Sequence, residues 1–251
     1  MTVVSRPSIV ESTMPVDSRA ERAKQLFGED FFGEEAIRIM EEKCKAKGIN
    51  VQFKIPQIPF HLDEDQLESA KQEENQGRAR MVVLRPESMV VNGEEKPITI
   101  LNLRDLFKNE VTDPDSNETT ITYDNNPFGE GPVFWDQDWF DEEEFAKEPI
   151  KPGFALPTNE VIPDSLNKTW DEQEALLLPG ERRREAIEAV WDTLLHYSAT
   201  GEKVLRTNWD WTNGRTSSGY AVHVGFHSDG LSVYHWYPDK PSPYVGVCSS
   251  R

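Results

Sequence analysis

After Gly201 the chain changes character: Trp209 and Trp211 are followed by small residues and by short alternating runs such as Tyr220-Ala221-Val222-His223-Val224. Period-two alternation interrupted every few residues by glycine or proline predicts short strands joined by turns. No other feature restricts the fold as strongly. Within this region, between Tyr220 and Tyr244, twelve of twenty-five positions are Tyr, His, Asp or Ser. They are Tyr220, His223, His227, Ser228, Asp229, Ser232, Tyr234, His235, Tyr237, Asp239, Ser242 and Tyr244, and they include four of the six tyrosines and three of the five histidines. Tyrosine supplies wide amphipathic contact area at small entropic cost, and serine and aspartate supply adaptable hydrogen bonds, as in antibody loops. We therefore nominate these twelve as a ligand-binding surface. A twisted sheet whose tyrosines only pack across strands would use the same letters.

Upstream, the patterning is helical with interruptions. Asp17 is placed to cap a helix ending at Phe27 before Gly28, and Glu34 to Lys47 carries Ala36, Ile37, Met40 and Cys44 on one face before Gly48. Ile49, Val51, Phe53 and Ile55 alternate as a half-buried strand closed by Pro56 and Pro59. The charged run from Asp63 to Gln76 reads as a solvated helical connector. Met81 to Leu84 reads as a buried strand, Asn92-Gly93 as a hairpin turn, and Pro97 to Phe107 as a helix with Thr99 as its cap. From Thr112 to Lys151 the chain is acidic and aromatic (Phe128, Phe134, Trp135, Trp139, Phe140, Phe145), a length of loop expected to pack by its own rings. Two helices follow, Lys168 to Leu178 and Glu181 to Tyr197, the second with Ala186, Val190, Leu194 and Tyr197 along one stripe. No internal repeat is present. We divide the chain into a helical N-terminal region, 1–76, and a domain over 77–251.

Twenty-seven basic residues against forty-five acidic ones give a net charge of −18. Such a surface is unsuited to nucleic acid, whose phosphates demand a basic face. No apolar run reaches the length of a membrane span, and the first fourteen residues lack the basic and apolar stretches of a secretory signal. With only Cys44 and Cys248 there is no disulfide framework. The expectation is a cytoplasmic protein.

Individual chemical motifs are weak. Asp113-x-Asp115-x-Asn117-x-Thr119, ending at Asp124, has the oxygen spacing of a calcium loop, but Glu118 stands where the sharp turn needs glycine, and an Asx-rich turn accounts for it. His223 and His227 would share a strand face roughly 13 Å apart, too far to hold one zinc ion. There is no G-x-S-x-G, no phosphate-binding glycine loop and no G-x-G-x-x-G. We expect no metal and no cofactor.

The letters of the tail have a second reading. Asparagine codons carry two adenines, and replacing adenines alone converts Asn to Tyr, His, Asp or Ser, the set concentrated here. Between them, Gly225, Gly230, Val233, Pro238, Gly246 and the closing Val247-Cys248-Ser249-Ser250-Arg251 read as a fixed frame. The tail Arg215-Thr216-Ser217-Ser218-Gly219-Tyr220, Val224-Gly225, Asp229-Gly230-Leu231, Gly246-Val247 and Ser250-Arg251 resembles the C-terminal variable region of diversity-generating retroelement target proteins, those of small-genome candidate-phylum bacteria in particular. Phe31-Phe32-Gly33, Ile58-Pro59-Phe60, Val83-Leu84-Arg85, Pro152 to Leu156 and Glu160 to Ser165 are similar to segments of the same group. One departure is that no Asn remains between 220 and 244.

The resemblance implies an α+β, C-type-lectin-like fold of the formylglycine-generating-enzyme variety, an irregular β scaffold with helices, with its variable region at about 213–251. It implies a non-enzymatic binding protein whose ligand is another protein. In that case Tyr220, His223, His227, Tyr234, His235, Tyr237, Asp239 and Tyr244 should be exposed and converge on one surface, while Trp209 and Trp211 hold the scaffold. Because regular alternation would send Tyr234 and His235 to opposite faces, looped backbone is expected there. Two alternatives stay open. One is an oxidase of the formylglycine-generating kind, whose family chemistry uses a cysteine pair binding copper; Cys44 and Cys248 lie in different stretches. The other is a structural subunit, favoured if the window proves mostly buried.

Overall fold

In the computed structural model, which describes residues 16–113, 118–135 and 137–251, helix α1 (Val16–Phe27) ends at Gly28, whose φ of 55° suits a residue without a Cβ. Strand β1 (Phe31–Phe32) leads into α2 (Glu34–Ala46), which buries Ala36, Ile37, Met40 and Cys44 on the expected face. Strand β2 (Val51–Lys54) alternates buried and exposed. Helix α3 (Glu64–Glu73) starts with a capping box in which Asp63 accepts from the Gln66 amide. It corrects the expected solvated connector: Leu67, Ala70 and Glu73 are buried, and Leu67 and Ala70 join Phe27, Phe60 and Leu156 in a small second core. Two apolar anchors at helical spacing are enough to dock an otherwise charged helix.

Strand β3 (Val82–Arg85) is buried throughout because it is central, parallel to β1 on one side and antiparallel to β8 (Gly153–Ala155) on the other. Strands β4 (Ser88–Val91) and β5 (Glu94–Lys96) form the hairpin foreseen at Asn92-Gly93, where φ is 52° and 87°. Strand β2 pairs with β4. Two sheets therefore cross the division drawn at 76/77, and so does the main core, in which Ile37, Met40 and Phe53 sit with Val190, Trp191 and Leu194.

Helix α4 (Ile100–Asp105) is capped by Thr99 as expected, its side chain accepting from the Asn102 amide. A hairpin of β6 (Asn109–Thr112) and β7 (Thr119–Thr122) follows; Asp115 and Asn117 of the calcium-like motif lie outside the described residues. Beyond it Phe128, Phe134, Phe140 and Phe145 all enter the core, the last from the short α5 (Glu144–Lys147). Helix α6 (Trp170–Glu174) is shorter than the expected 168–178.

The segment before the last helix departs most from expectation. Arg182–Arg183 forms β9, held by β14 (Ser249–Ser250) at the other end of the chain, so α7 (Ala186–Thr200) begins five residues later than Glu181. Every residue from Ala186 to Ser198 is buried. The predicted stripe faces the core together with Ile187, Trp191 and Leu195, and arginines cover the Glu188 and Asp192 side of α7: Arg85 donates to Asp192 at 3.0 and 2.8 Å and to Glu188 at 2.6 Å, and Arg182 adds bidentate bonds to Glu188.

Against α7 lies a four-stranded sheet in the order β12 (Gly230–Trp236), β11 (Ala221–His227), β10 (Trp209–Arg215), β13 (Val245–Gly246). The pairing of β11 with β12 is regular over seven residues, from Ala221 opposite Trp236 to His227 opposite Gly230. This corrects the expected looped backbone. The architecture is mixed α+β. Among the described residues no helix is long and apolar enough to cross a membrane.

Candidate functional site

Alternation along β11 sends Val222, Val224 and Phe226 into the core shared with α7 and His223, Gly225 and His227 to the other face. Cross-strand register places Tyr234 opposite His223, and Ser232 opposite Gly225. Tyr234 and His235 are not parted by alternation: their rings stack, with centres 5.0 Å apart and planes at 13°, and Trp139 meets both.

Three walls rise from this outer face. The first is Trp209. A Cβ at Gly225 would lie 2.2 Å from the Trp209 Cδ1 and 2.9 Å from the Leu205 carbonyl oxygen, so only glycine lets the indole lie down on the strand. Trp209 there stacks on His223, with ring centres 4.9 Å apart and planes at 16°. It is half-buried, whereas Trp211 is fully buried; of the two expected scaffold tryptophans, only Trp211 is wholly structural.

The second wall comes from the acidic aromatic stretch. The Leu231 amide donates to the Val133 carbonyl at 2.8 Å, and the Trp135 amide donates to the Leu231 carbonyl at 3.0 Å. Gly230, at φ 119°, permits this approach: its Cβ would stand 2.7 Å from the Trp135 nitrogen. Trp135 is thereby laid over His227 at 5.6 Å and alongside Tyr234 at 6.5 Å. The third wall is the return loop before β13. Its Tyr244 carbonyl accepts from the Trp209 amide at 2.8 Å, while the Tyr244 ring is 63% exposed at the rim.

The result is a concavity of about 280 Å³ lined by Trp135, Trp209, His223, His227, Ser232, Tyr234, Trp236, Ser242, Tyr244 and Val245. Six of the twelve nominated residues meet here. Three of those six, His223, Ser232 and Ser242, are buried rather than exposed; for His223 this overturns the expectation, because β11 is an inner strand roofed by Trp209. The other six lie elsewhere. Tyr220 stacks on His235 at 5.1 Å and meets Tyr237 edge-on at 4.8 Å, and His235 packs against Trp139 at 4.6 Å, forming a neighbouring aromatic group. Ser228 and Asp229 occupy the β11–β12 turn and Asp239 the turn after β12, all exposed.

Trp135 and Trp236 belong to the site and were missed by the sequence reading. Trp135 stood within the aromatic stretch, but nothing local reveals that it returns to the tail. The signal available was Gly230, a frame glycine at a position where another backbone must approach closely.

Burial pushes the His223 imidazole down to a pKa of about 3, with the neighbouring His235 adding in the same direction, so His223 is neutral at physiological pH. Neither of its ring nitrogens has a hydrogen-bond partner, and neither does the Ser232 hydroxyl. On the rim, His227 Nδ1 lies 3.0 Å from the Ser228 hydroxyl and 3.5 Å from an Asp229 carboxylate oxygen.

The two cysteines are separate from this site. Cys44 packs in the main core, its thiol pushed up to about 12 by burial and the Glu41 charge. Cys248 is fully buried, its amide donating to Asp210 at 2.8 Å, and burial raises its thiol as well. Among the described residues no group of three or more His, Cys, Asp or Glu side chains is placed to hold a metal ion. Compared with protein-family models, curated proteins and solved structures, the chain gives no match.

Proposed function

We propose that this is a non-enzymatic binding protein whose outer sheet face takes another protein as its ligand, and that a retroelement diversifies this face by replacing adenines in its coding sequence. The observation that carries the reading is the convergence of six nominated residues, with tryptophans around them, on one small concavity. Ligand sites are typically concave and apolar, with a few convergent polar groups. Buried strands on one face and adaptable residues on the other allow the binding surface to change while the core stays fixed. A C-type-lectin-like scaffold of the formylglycine-generating variety is the fold we propose, supported by the tail resemblance and by the antiparallel meander β10–β12, whose β10 and β11 pack on α7.

The test has two arms. A near-copy of the 3′ coding end beside a reverse-transcriptase gene, differing from it at adenines only, is the expected genomic finding; sequence on both sides of the gene without such a copy removes the retroelement from the reading. For binding, random peptides displayed against the full chain should yield binders lost in Tyr244→Ala, a rim substitution. Binders indifferent to it, or no binders, would remove the outer face as the binding surface.

A further inference from the structure

The concavity is open through its rings and closed through its polar groups. His223 Nδ1 and Nε2 and Ser232 Oγ are buried, Trp209 lies on the His223 ring, and the surface that the cavity presents is almost wholly apolar. Three of its rings are well exposed: Tyr234 at 41%, Trp236 at 38% and Tyr244 at 63%. A guest bringing hydroxyl or N–H groups would give up its water and find few partners in return, which weakens binding with every donor stranded. Phenols, primary ammonium groups and guanidinium are all disfavoured on that count. Hydrocarbons and fully methylated ammonium groups carry no donor and remain.

Shape and charge separate those two. Trp135 and Trp209 both stand against His227, the first with its plane at 21° to the imidazole and the second at 65°, so the two indoles form a corner rather than a parallel slot. A flat ring can stack on one such wall, whereas a tetrahedral group touches both. Ring faces attract cations, and those of tryptophan do so most strongly. No lysine or arginine lines the cavity. At its rim an Asp229 carboxylate oxygen lies 3.5 Å from His227 Nδ1, and the net charge of −18 draws cations from a distance. A hydrocarbon would gain contact area alone. The volume, about 280 Å³, lies at the small end of ligand cavities and suits a compact group.

We infer that the concavity is an aromatic cage for a quaternary ammonium group, the trimethylated ammonium of a lysine side chain on a partner protein, seated in the corner of Trp135 and Trp209 with Tyr234, Trp236 and Tyr244 around it. This rests on the reading of the outer face as a binding surface, and it adds the chemistry that the face selects.

The experiment titrates the full chain with choline and with its neutral isostere 3,3-dimethylbutan-1-ol, following tryptophan fluorescence. Choline should bind saturably and at least about fivefold more tightly than the isostere, the margin expected of a cation on desolvated ring faces. Trp135→Leu keeps an apolar wall but removes its ring face, and it should lower choline binding several-fold while binding of the isostere is kept; Tyr244→Leu is the second variant should the first fail to fold. Equal binding of the two probes, tighter binding of the isostere, a preference for choline that survives loss of the ring, or no saturable choline effect overturns the cage.

A lysine probe separates this inference from the reading beneath it. Nα-acetyl-trimethyllysine amide should displace choline, and its unmethylated counterpart should not; that result supports both. Displayed peptides lost in Tyr244→Ala, with no saturable choline binding, overturn the cage and leave the binding face standing. Choline binding that the trimethyllysine probe does not displace overturns the partner-protein source and leaves a cage for a small free quaternary ammonium compound.

Discussion

One sheet carries two buried polar regions of opposite kind. Behind it, Asp210 of β10 pairs with Arg184 at 2.8 Å, Arg184 with Asp192 at 3.3 Å, and Arg85 and Arg182 complete the set around Glu188. In front, on the other face, His223 of β11 and Ser232 of β12 are as deeply buried, and their side-chain polar atoms have no hydrogen-bond partners. Burial alone therefore does not separate structural from functional polar groups. Each carboxylate behind the sheet is matched to a guanidinium and has nothing left to offer. The front instead buries its polar atoms under aromatic rings, with Trp209 stacked on His223.

That contrast can be broken most severely from behind. Arg184→Ala would strand the buried carboxylate of Asp210, while Asp192 keeps Arg85, and removing one partner of a buried ion pair costs about 3–5 kcal/mol. Urea unfolding should show a loss of that size, and a loss comparable to a surface substitution would refute the closed-network description. Next in size, Gly225→Ala drives a methyl into the Trp209 ring. It should cost about 1–3 kcal/mol, as overpacking does, and should also shift Trp209 fluorescence; an unchanged spectrum would mean that the indole does not lie on β11.

Acid separates the two faces along the pH axis. His223 stays neutral when folded, with its pKa about 3, but protonates near 6.5 when unfolded. The unfolded chain thus binds more protons between those values, and stability falls as pH drops from about 6.5, by at most about 1.4 kcal/mol per unit for this group. His196 and His235, also lowered, act in the same direction. Behind the sheet the window lies lower. Burial would raise Glu188, but the Arg182 hydrogen bonds and the Arg85 and Arg182 charges outweigh it and hold the carboxyl at about 2. Its contribution is lost only as pH falls below the ordinary value of 4.5 towards 2. Melting curves from pH 7 to 4.5 should flatten in His223→Phe relative to the unchanged chain, and equal slopes would count against a neutral buried imidazole. The smallest effect belongs to the rim: Tyr244→Ala should change stability by no more than about 0.5 kcal/mol, and a larger loss in thermal melting would recast Tyr244 as structural.

What the sequence revealed of this molecule was mostly local. The buried face of α2, the alternation of β2, the Asn92-Gly93 turn and the Thr99 cap each depend on residues within a few positions of one another, and all are present. The failures involve long-range partners. Nothing in the periodicity of α7 says that Glu188 and Asp192 will be buried, because their arginine, Arg85, lies on a distant strand. The late start of α7 depends on the pairing of Arg182–Arg183 with Ser249–Ser250. The site follows the same division: the tail's composition pointed to six of its lining residues, while Trp135 arrives through backbone bonds to Leu231 that no local pattern encodes.

The docking of the 133–135 segment along β12 has a consequence for any repertoire built on this scaffold. Trp135 and Trp209 both lie upstream of 213, so codon exchange confined to the tail would never alter them. Successive versions of the protein would differ on one side of the cavity and share the other, like keys cut on a common blank. Their ligands would be free to vary in outline while still presenting the same kind of group to the same two indoles.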